Sequence, residues 1–193
     1  MKVGKWAALE CALLLLTSAA LSFVRIRLWE NGGEVTLFSL LPLIVVARRQ
    51  GTHAGLLCSL GYALVRLFVQ RSVLSPLGFW PALGTAVLGF ILCDTAVGFS
   101  SVRTARRHAS ARDFAASMGM AFLARCALKF PALLIEAGAS EVTLAQKPLS
   151  WALMQEATGM LPEALITILA ALLLNQWTRL MDRQGLLIDA SAI

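Results

Sequence analysis

The positions of the lysines and arginines constrain this chain more than any single motif. Six long apolar segments divide the sequence, and the basic residues gather at both chain ends and in every second gap. Ten of them occupy these places: Lys2, Lys5, Arg48, Arg49, Arg103, Arg106, Arg107, Arg112, Arg179 and Arg183. The remaining gaps hold only four, beside acids: Arg25, Arg27, Arg71 and Lys147. This alternation is the positive-inside pattern, and it predicts a membrane protein with both termini in the cytoplasm.

The composition supports the same class. The chain is 58% hydrophobic and 15% charged, whereas charged residues make up about a quarter of a soluble domain. Six spans of about 20 residues use nearly all of its 193 residues,. No room remains for a soluble catalytic or nucleotide-binding domain, so an ATP-driven function would need an ATPase on another chain.

The predicted fold is an all-α bundle of six transmembrane helices in one domain, residues 1–193. Helices are expected because a lone span in lipid must satisfy its backbone hydrogen bonds internally. The predicted spans are approximately 6–24, 35–47, 53–69, 82–99, 114–135 and 151–177. A cleavable signal peptide is the alternative interpretation of the first segment, but its removal would disturb the alternation of basic gaps.

Several functional classes find no support in the sequence. The net charge of +6 is explained by topology and anionic lipids, so no nucleic-acid partner is expected. The four cysteines lie in apolar segments without metal-ligand spacing,. No constellation of nucleophile and base appears either. We therefore expect no enzyme activity, no metal and no cofactor.

Seven ionisable residues fall inside the predicted spans: Glu10, Arg66, Asp94, Arg125, Lys129, Glu156 and Glu163. A charge at the bilayer centre costs at least about 2.5–3.5 kcal/mol, so each needs a partner or a wet cavity. In one interpretation, Arg125 or Lys129 pairs with Asp94 or Glu163 only to neutralise the interior. In the other, these groups line a cavity for a small polar or charged molecule. Of the seven, Arg125 is assigned a structural role.

Two further features suggest surfaces. The outward connections contain turn residues and tryptophans, so Trp29 and Trp80 are either lid and stacking residues or part of an interfacial aromatic belt. On the first span, small residues recur four positions apart, as in Ala8 and Ala12, with Ala20 further along. Such spacing lets another helix approach closely in lipid, either within the bundle or from a partner.

Two stretches of the first half resemble a known family. They are Gly32-Gly33-Glu34-Val35-Thr36-Leu37-Phe38-Ser39-Leu40-Leu41-Pro42 with Ala47-Arg48-Arg49-Gln50-Gly51-Thr52-His53-Ala54-Gly55, and Asp94-Thr95-Ala96-Val97-Gly98-Phe99. They are similar to the substrate-binding subunits (S components) of energy-coupling factor vitamin transporters, and most of all to the thiamine-specific branch. The resemblance covers roughly residues 20–100, and the second half matches mainly by hydropathy.

The resemblance implies a subunit of the bacterial plasma membrane that captures a vitamin from outside. Its partners would be a transmembrane coupling protein, met by Ala8, Ala12 and Ala20, and two ATPase subunits. Asp94 lies where thiamine binders use a glutamate, Lys129 where they carry a histidine, and Glu156 near their sixth-helix contacts. A lysine facing a cationic ligand is unfavourable unless a carboxylate neutralises it. A related pyrimidine or vitamin precursor therefore stays open beside thiamine.

The expected ligand contacts follow. Asp94 and Glu163 would recognise a cation or ring nitrogen, and Lys129 and Glu156 would make polar contacts. The outer set would be Trp29, Gly33, Glu34 and Trp80. Two other functions remain open, namely a self-sufficient small transporter or channel and a membrane assembly protein without a ligand.

Overall fold

The computed structural model describes residues 5–27, 34–36, 38–101, 111–139 and 148–183, and these are almost entirely helical. The first part comprises α1 (Lys5–Leu21), β1 (Arg25–Arg27), β2 (Glu34–Thr36), α2 (Leu41–Gln50), α3 (Thr52–Val69) and the single turn α4 (Arg71–Leu74). Three long helical segments follow: α5 (Phe79–Ser101), α6 (Ala111–Ala139) and α7 (148–183).

Four helices in the described part are long and apolar enough to cross a membrane. They cover Thr52–Val69, Phe79–Ser101, Arg112–Ala139 and Leu149–Gln176. The shorter α1 has 17 residues and α2 only 10. At 1.5 Å per residue, α2 is about 15 Å long, half the thickness of a bilayer core of about 30 Å.

The second predicted span differs most from the structure. Its beginning, Val35, lies in β2, which pairs antiparallel with β1 so that Ile26 faces Val35. The helix begins only at Leu41, with Pro42 in its first turn, where the missing N–H costs no hydrogen bond. Gly51, at φ 91°, separates α2 from α3, a conformation that glycine adopts readily. The pairing of β1 with β2 also ends α1 at Leu21 rather than near Val24.

The other long helices agree with the predicted spans to within a few residues at most ends, except that α7 extends past Trp177 to Arg183. Two of them contain π-helical stretches, Thr85–Leu92 in α5 and Glu156–Met160 in α7. A π-helical turn inserts a residue into the helix and is frequent at functional sites.

The apolar core occupies one half of the bundle. It is built on α2, α3, α5, α6 and α7 from Leu40, Leu43, Ile44, Val46, Cys58, Tyr62, Val97, Phe114, Met118, Phe122, Ala164 and Ala171. Glycines allow the helices to meet there, since a Cβ on Gly55 would lie 2.5 Å from the Ala47 Cβ. At the same end Arg49 pairs with Glu10 at 2.5 Å, which ties α2 to α1.

Outward-facing leucines complete the bundle. Leu161, Leu165, Leu169 and Leu173 recur every four residues along α7, and each is at least 50% exposed in the isolated chain. A stripe of this kind suits contact with lipid tails, because residues four apart share one helix face.

Candidate functional site

A polar cavity of about 290 Å³ lies among the long helices. This volume is at the lower end of the range for small-molecule sites. The cavity is lined by Arg25 of β1, Arg66 and Gln70 of α3, Gly89, Phe90 and Cys93 of α5, Arg125, Lys129, Leu133 and Glu136 of α6, and Trp151, Gln155, Gly159, Met160 and Glu163 of α7. Both π-helical stretches therefore contribute to its wall.

The cavity lies toward one end of the bundle. Gln70 follows the end of α3, Glu136 is in the last turn of α6, and Trp151 is in the first turn of α7. Arg25 approaches from β1, just after the end of α1. Charged and polar groups thus collect at this end, whereas the core around α2 is apolar.

Four charged side chains form a continuous network at the cavity floor. Arg66 donates from Nη1 to both oxygens of Asp94, at 3.0 and 3.1 Å. Arg125 donates to Asp94 Oδ1 from Nη2 at 3.2 Å and from Nε at 3.3 Å. Its Nη1 donates to Glu163 Oε2 at 2.9 Å. Two acids and two bases compensate one another, as buried charges must.

Hydroxyl groups extend this network away from the cavity. The Thr36 hydroxyl donates to the second oxygen of Glu163 and lies 2.9 Å from the Ser39 hydroxyl. The Ser39 carbonyl accepts a hydrogen bond of 2.6 Å from Ser18 on α1. The cavity floor is therefore joined through β2 and its following turn to the first helix.

Lys129 lies above this network without an ion pair. Its Nζ is 4.9 Å from the centroid of the Phe90 ring, a distance at which a cation is attracted to the ring face. Within the described ranges, no carboxylate forms a salt bridge with Lys129. Gly89 lies beside the amine, since a Cβ there would be in ordinary contact with Nζ at 3.5 Å and closer to the Ala132 Cβ, at 3.0 Å.

The acids proposed from the sequence occupy different places. Glu163 lines the cavity, whereas Asp94 is fully buried behind it and is reached only through the arginines. Glu156 lies on the π-helical turn of α7, outside the lining. Both of its carboxylate oxygens are inaccessible, with no hydrogen-bond partner in the described part of the chain.

The outer residues are less connected to the cavity. Trp80 is 76% exposed, packs edge-to-face on Phe79 and is not a lining residue. Glu34 lies in β2 opposite Arg27 in register. Trp29 and Gly33 lie outside the described residues. The roles assigned to these four stay predictions.

Several cavity residues were missed by the sequence interpretation. It gave no role to Gln70, Phe90, Glu136 or Gln155. One signal was present in α6, since Arg125, Lys129, Leu133 and Glu136 follow the spacing of a single helix face. Thr36 reaches Glu163 because it lies in strand β2, which was not predicted. No sequence pattern therefore pointed to Thr36.

The small residues of α1, Ala8, Ala12 and Ala20, are all exposed, next to Leu9, Leu13 and Leu16.

Among the described residues, no group of three or more histidine, cysteine, aspartate or glutamate side chains could hold a metal ion.

Comparison with known proteins gives one match. A family model described as "Thiamine transporter protein (Thia_YuaJ)" matches residues 8–181, well over half of the chain. Comparison with curated proteins and with solved structures found no significant match. The matched range includes all the cavity residues and all the described helices except the first three residues of α1 and the last two of α7. The chain therefore belongs to the thiamine transporter protein family and is a multi-pass membrane protein of thiamine transport.

Proposed function

We propose that this chain is the substrate-capturing subunit of an ATP-driven energy-coupling factor importer, binding thiamine or a related small vitamin from the extracellular side. One observation carries the proposal: a polar cavity of about 290 Å³ inside an otherwise apolar bundle. Charges are expensive in a membrane interior and usually mark substrate paths or binding sites. Family membership supports the ligand class.

The direction of capture follows from the topology proposed on the basic residues. If both termini are cytoplasmic, α3 and α6 end on the outer side and α7 begins there. The cavity is built at that end, from Gln70, Glu136 and Trp151. A ligand would thus enter from outside, in a bacterial plasma membrane.

ATP hydrolysis is assigned to partner subunits. We propose that a transmembrane coupling protein packs on α1, where Ala8, Ala12 and Ala20 are exposed. Small side chains there would allow a partner helix to approach closely.

The binding residues divide into three groups. Lys129 and Glu163 contact the ligand directly from the cavity wall. Asp94 acts indirectly by holding Arg66 and Arg125 in place. Glu156 makes a polar contact with the ligand once the ligand reorders the π-helical turn of α7. The outer residues, which contribute to a lid, are Trp29, Gly33, Glu34 and Trp80.

Uptake of labelled thiamine tests the function. Cells without their own thiamine uptake would express this chain alone or together with a coupling protein and two ATPases. The proposal predicts tight thiamine binding by the purified chain and transport only with the complete set. Transport by the chain alone would indicate a self-sufficient transporter. Absence of binding to the purified chain would contradict vitamin capture.

A further inference from the structure

The acids and bases of the cavity differ in how far their hydrogen-bonding capacity is used. Both oxygens of Asp94 accept from arginine. One oxygen of Glu163 accepts from Arg125 and the other from Thr36. The floor carboxylates are therefore already engaged within the protein. A cationic ligand would have to displace these contacts in order to use them.

Two cationic side chains of the same cavity have donor groups that no acceptor in the described part of the chain uses. Lys129 has no salt bridge within the described ranges, and its only ring contact there is with Phe90. The Nε of Arg66 is buried without a hydrogen-bond partner in the described part of the structure. Both side chains line the cavity. The floor thus presents excess positive charge and spare donors.

Among the described residues that line the cavity, one further carboxylate, that of Glu136, lies further out. Glu136 is seven residues beyond Lys129 on α6, about 10 Å along the axis and on a similar face. Glu156 is also near α6 but does not line the cavity. At the floor, the three cationic residues Arg66, Arg125 and Lys129 therefore outnumber the two acids Asp94 and Glu163, whereas the outer part of the cavity is lined by one residue of each sign, Arg25 and Glu136.

We propose that the cavity binds the anionic group of its ligand at the floor, with Lys129 as the counter-ion, so that the preferred ligand is an anionic derivative of thiamine such as a phosphate ester. The inference rests on the proposed function and narrows its substrate class. Thiamine itself carries a fixed positive charge on its thiazolium ring. A phosphate or carboxylate would neutralise Lys129 and accept charge-assisted hydrogen bonds from it. The ring cation would then lie toward Glu136.

Equilibrium binding to the purified full-length chain tests this preference. The probes are thiamine, thiamine monophosphate, and the analogue in which a carboxymethyl group replaces the hydroxyethyl group. We expect the monophosphate to bind at least about tenfold more tightly than thiamine, as expected for one added charge-assisted contact. A similar gain for the carboxylate analogue would show recognition of any anion, and a gain for the monophosphate alone would show recognition of phosphate.

Three variants identify the counter-ion. Lys129→Gln should remove the preference for the anionic probes over thiamine. Lys129→Arg retains the charge and should retain the preference. Arg71→Gln removes one positive charge at an exposed position outside the cavity and should change nothing. It therefore controls for net charge.

The outcomes separate the two proposals. Thiamine binding as tightly as its monophosphate to the wild-type chain would overturn the anionic preference and leave the proposed function standing. An undiminished preference in Lys129→Gln would overturn the assignment of Lys129. Failure of every probe to bind would overturn the proposed function and this inference with it. The comparison of probes on the wild-type chain does not depend on the folding of any variant.

Discussion

Arg125 is 1% exposed and is the largest fully buried side chain of the described structure. It is tolerated because Asp94 and Glu163 both accept its hydrogen bonds. Asp94 in turn is shared between Arg125 and Arg66. A buried ion network of this kind adds little net stability, but losing one member leaves an uncompensated charge. Asp94 therefore supports the cavity floor even though it does not line the cavity.

Substitution of Asp94 tests this role. Asp94→Asn leaves Arg66 and Arg125 with only Glu163 as a counter-charge, so we expect the free energy of unfolding to fall by about 3–5 kcal/mol. Denaturation of the purified protein in detergent measures the change. Arg71→Gln, which also removes one charge but at an exposed position, is the control and should have a much smaller effect. Equal stability of the two variants would contradict the network.

A double variant tests whether Asp94 and Arg66 stabilise the protein through their opposite charges. If Asp94 acts by compensating Arg66, then Asp94→Asn combined with Arg66→Gln should be less destabilised than the sum of the single changes. Contacting charged pairs show interaction energies of about 0.5–3 kcal/mol in such cycles. Strict additivity of the two substitutions would show that their contact at 3.0 Å carries no energetic coupling.

The sequence left two bases as possible partners of Asp94 and Glu163, and in the described structure Arg125 contacts both acids. Arg125 and Lys129 lie one turn apart on the same face of α6, so helical spacing left both as possible partners of Asp94. The π-helical stretch Thr85–Leu92 precedes Asp94 and inserts a residue into α5, which changes the direction of the side chains after it. That rotation has no signature in residue periodicity.

At the scale of elements, the short helix α2 shows where hydropathy alone misleads. An apolar run of this length has the same composition whether it crosses a bilayer or is buried within a protein. Here it forms 10 helical residues with five of them buried, after a strand and a turn. The later helices were easier to predict, because their apolar runs are long and are bounded by charged or turn-rich gaps.

Helices α3 and α5 approach each other closely at Gly98. A Cβ on Gly98 would lie 2.7 Å from backbone atoms of Leu56, so α3 and α5 must separate to accept it. We expect Gly98→Ala to lower the free energy of unfolding by about 1–3 kcal/mol, the range for overpacking.

Gly119 provides the matched control for this substitution. No atom lies within 4 Å of a Cβ built at this position, and Gly119 is inside α6. Gly119→Ala should therefore stabilise the protein by about 0.5–1 kcal/mol through helix propensity. Parallel denaturation of both variants measures the difference. A stabilising Gly98→Ala would contradict the observed approach of α3 and α5.

At the scale of the whole molecule, the two halves of the bundle have different compositions. The apolar core surrounds α2, and the polar cavity lies among α3, α5, α6 and α7. The alternation of basic residues predicted a multi-pass membrane protein, and the long apolar helices and family membership confirm that class. A ligand cavity was one of the two interpretations of the intramembrane charges, but its full lining could not be predicted, because it depends on how four helices separate at one end.

The exposed face of α1 gives a prediction about assembly. Ala12→Trp places a large side chain on the proposed contact surface, so we expect a coupling protein to co-purify much less well. Thiamine binding should be unchanged, because α1 does not line the cavity. Leu57→Trp on α3, at a position that is 70% exposed, is the matched control. Equal capture by both variants would exclude this face as the contact surface.

The most direct test of the cavity as the binding site uses Trp151, which is in the first turn of α7 and lines it. The other four tryptophans, Trp6, Trp29, Trp80 and Trp177, would be replaced by phenylalanine, and thiamine and its monophosphate would be titrated against the fluorescence of Trp151. Vitamin capture in this cavity predicts saturable quenching by at least one of the two with a single site per chain. A ligand that binds the same protein by calorimetry while leaving Trp151 fluorescence unchanged would place the binding site elsewhere.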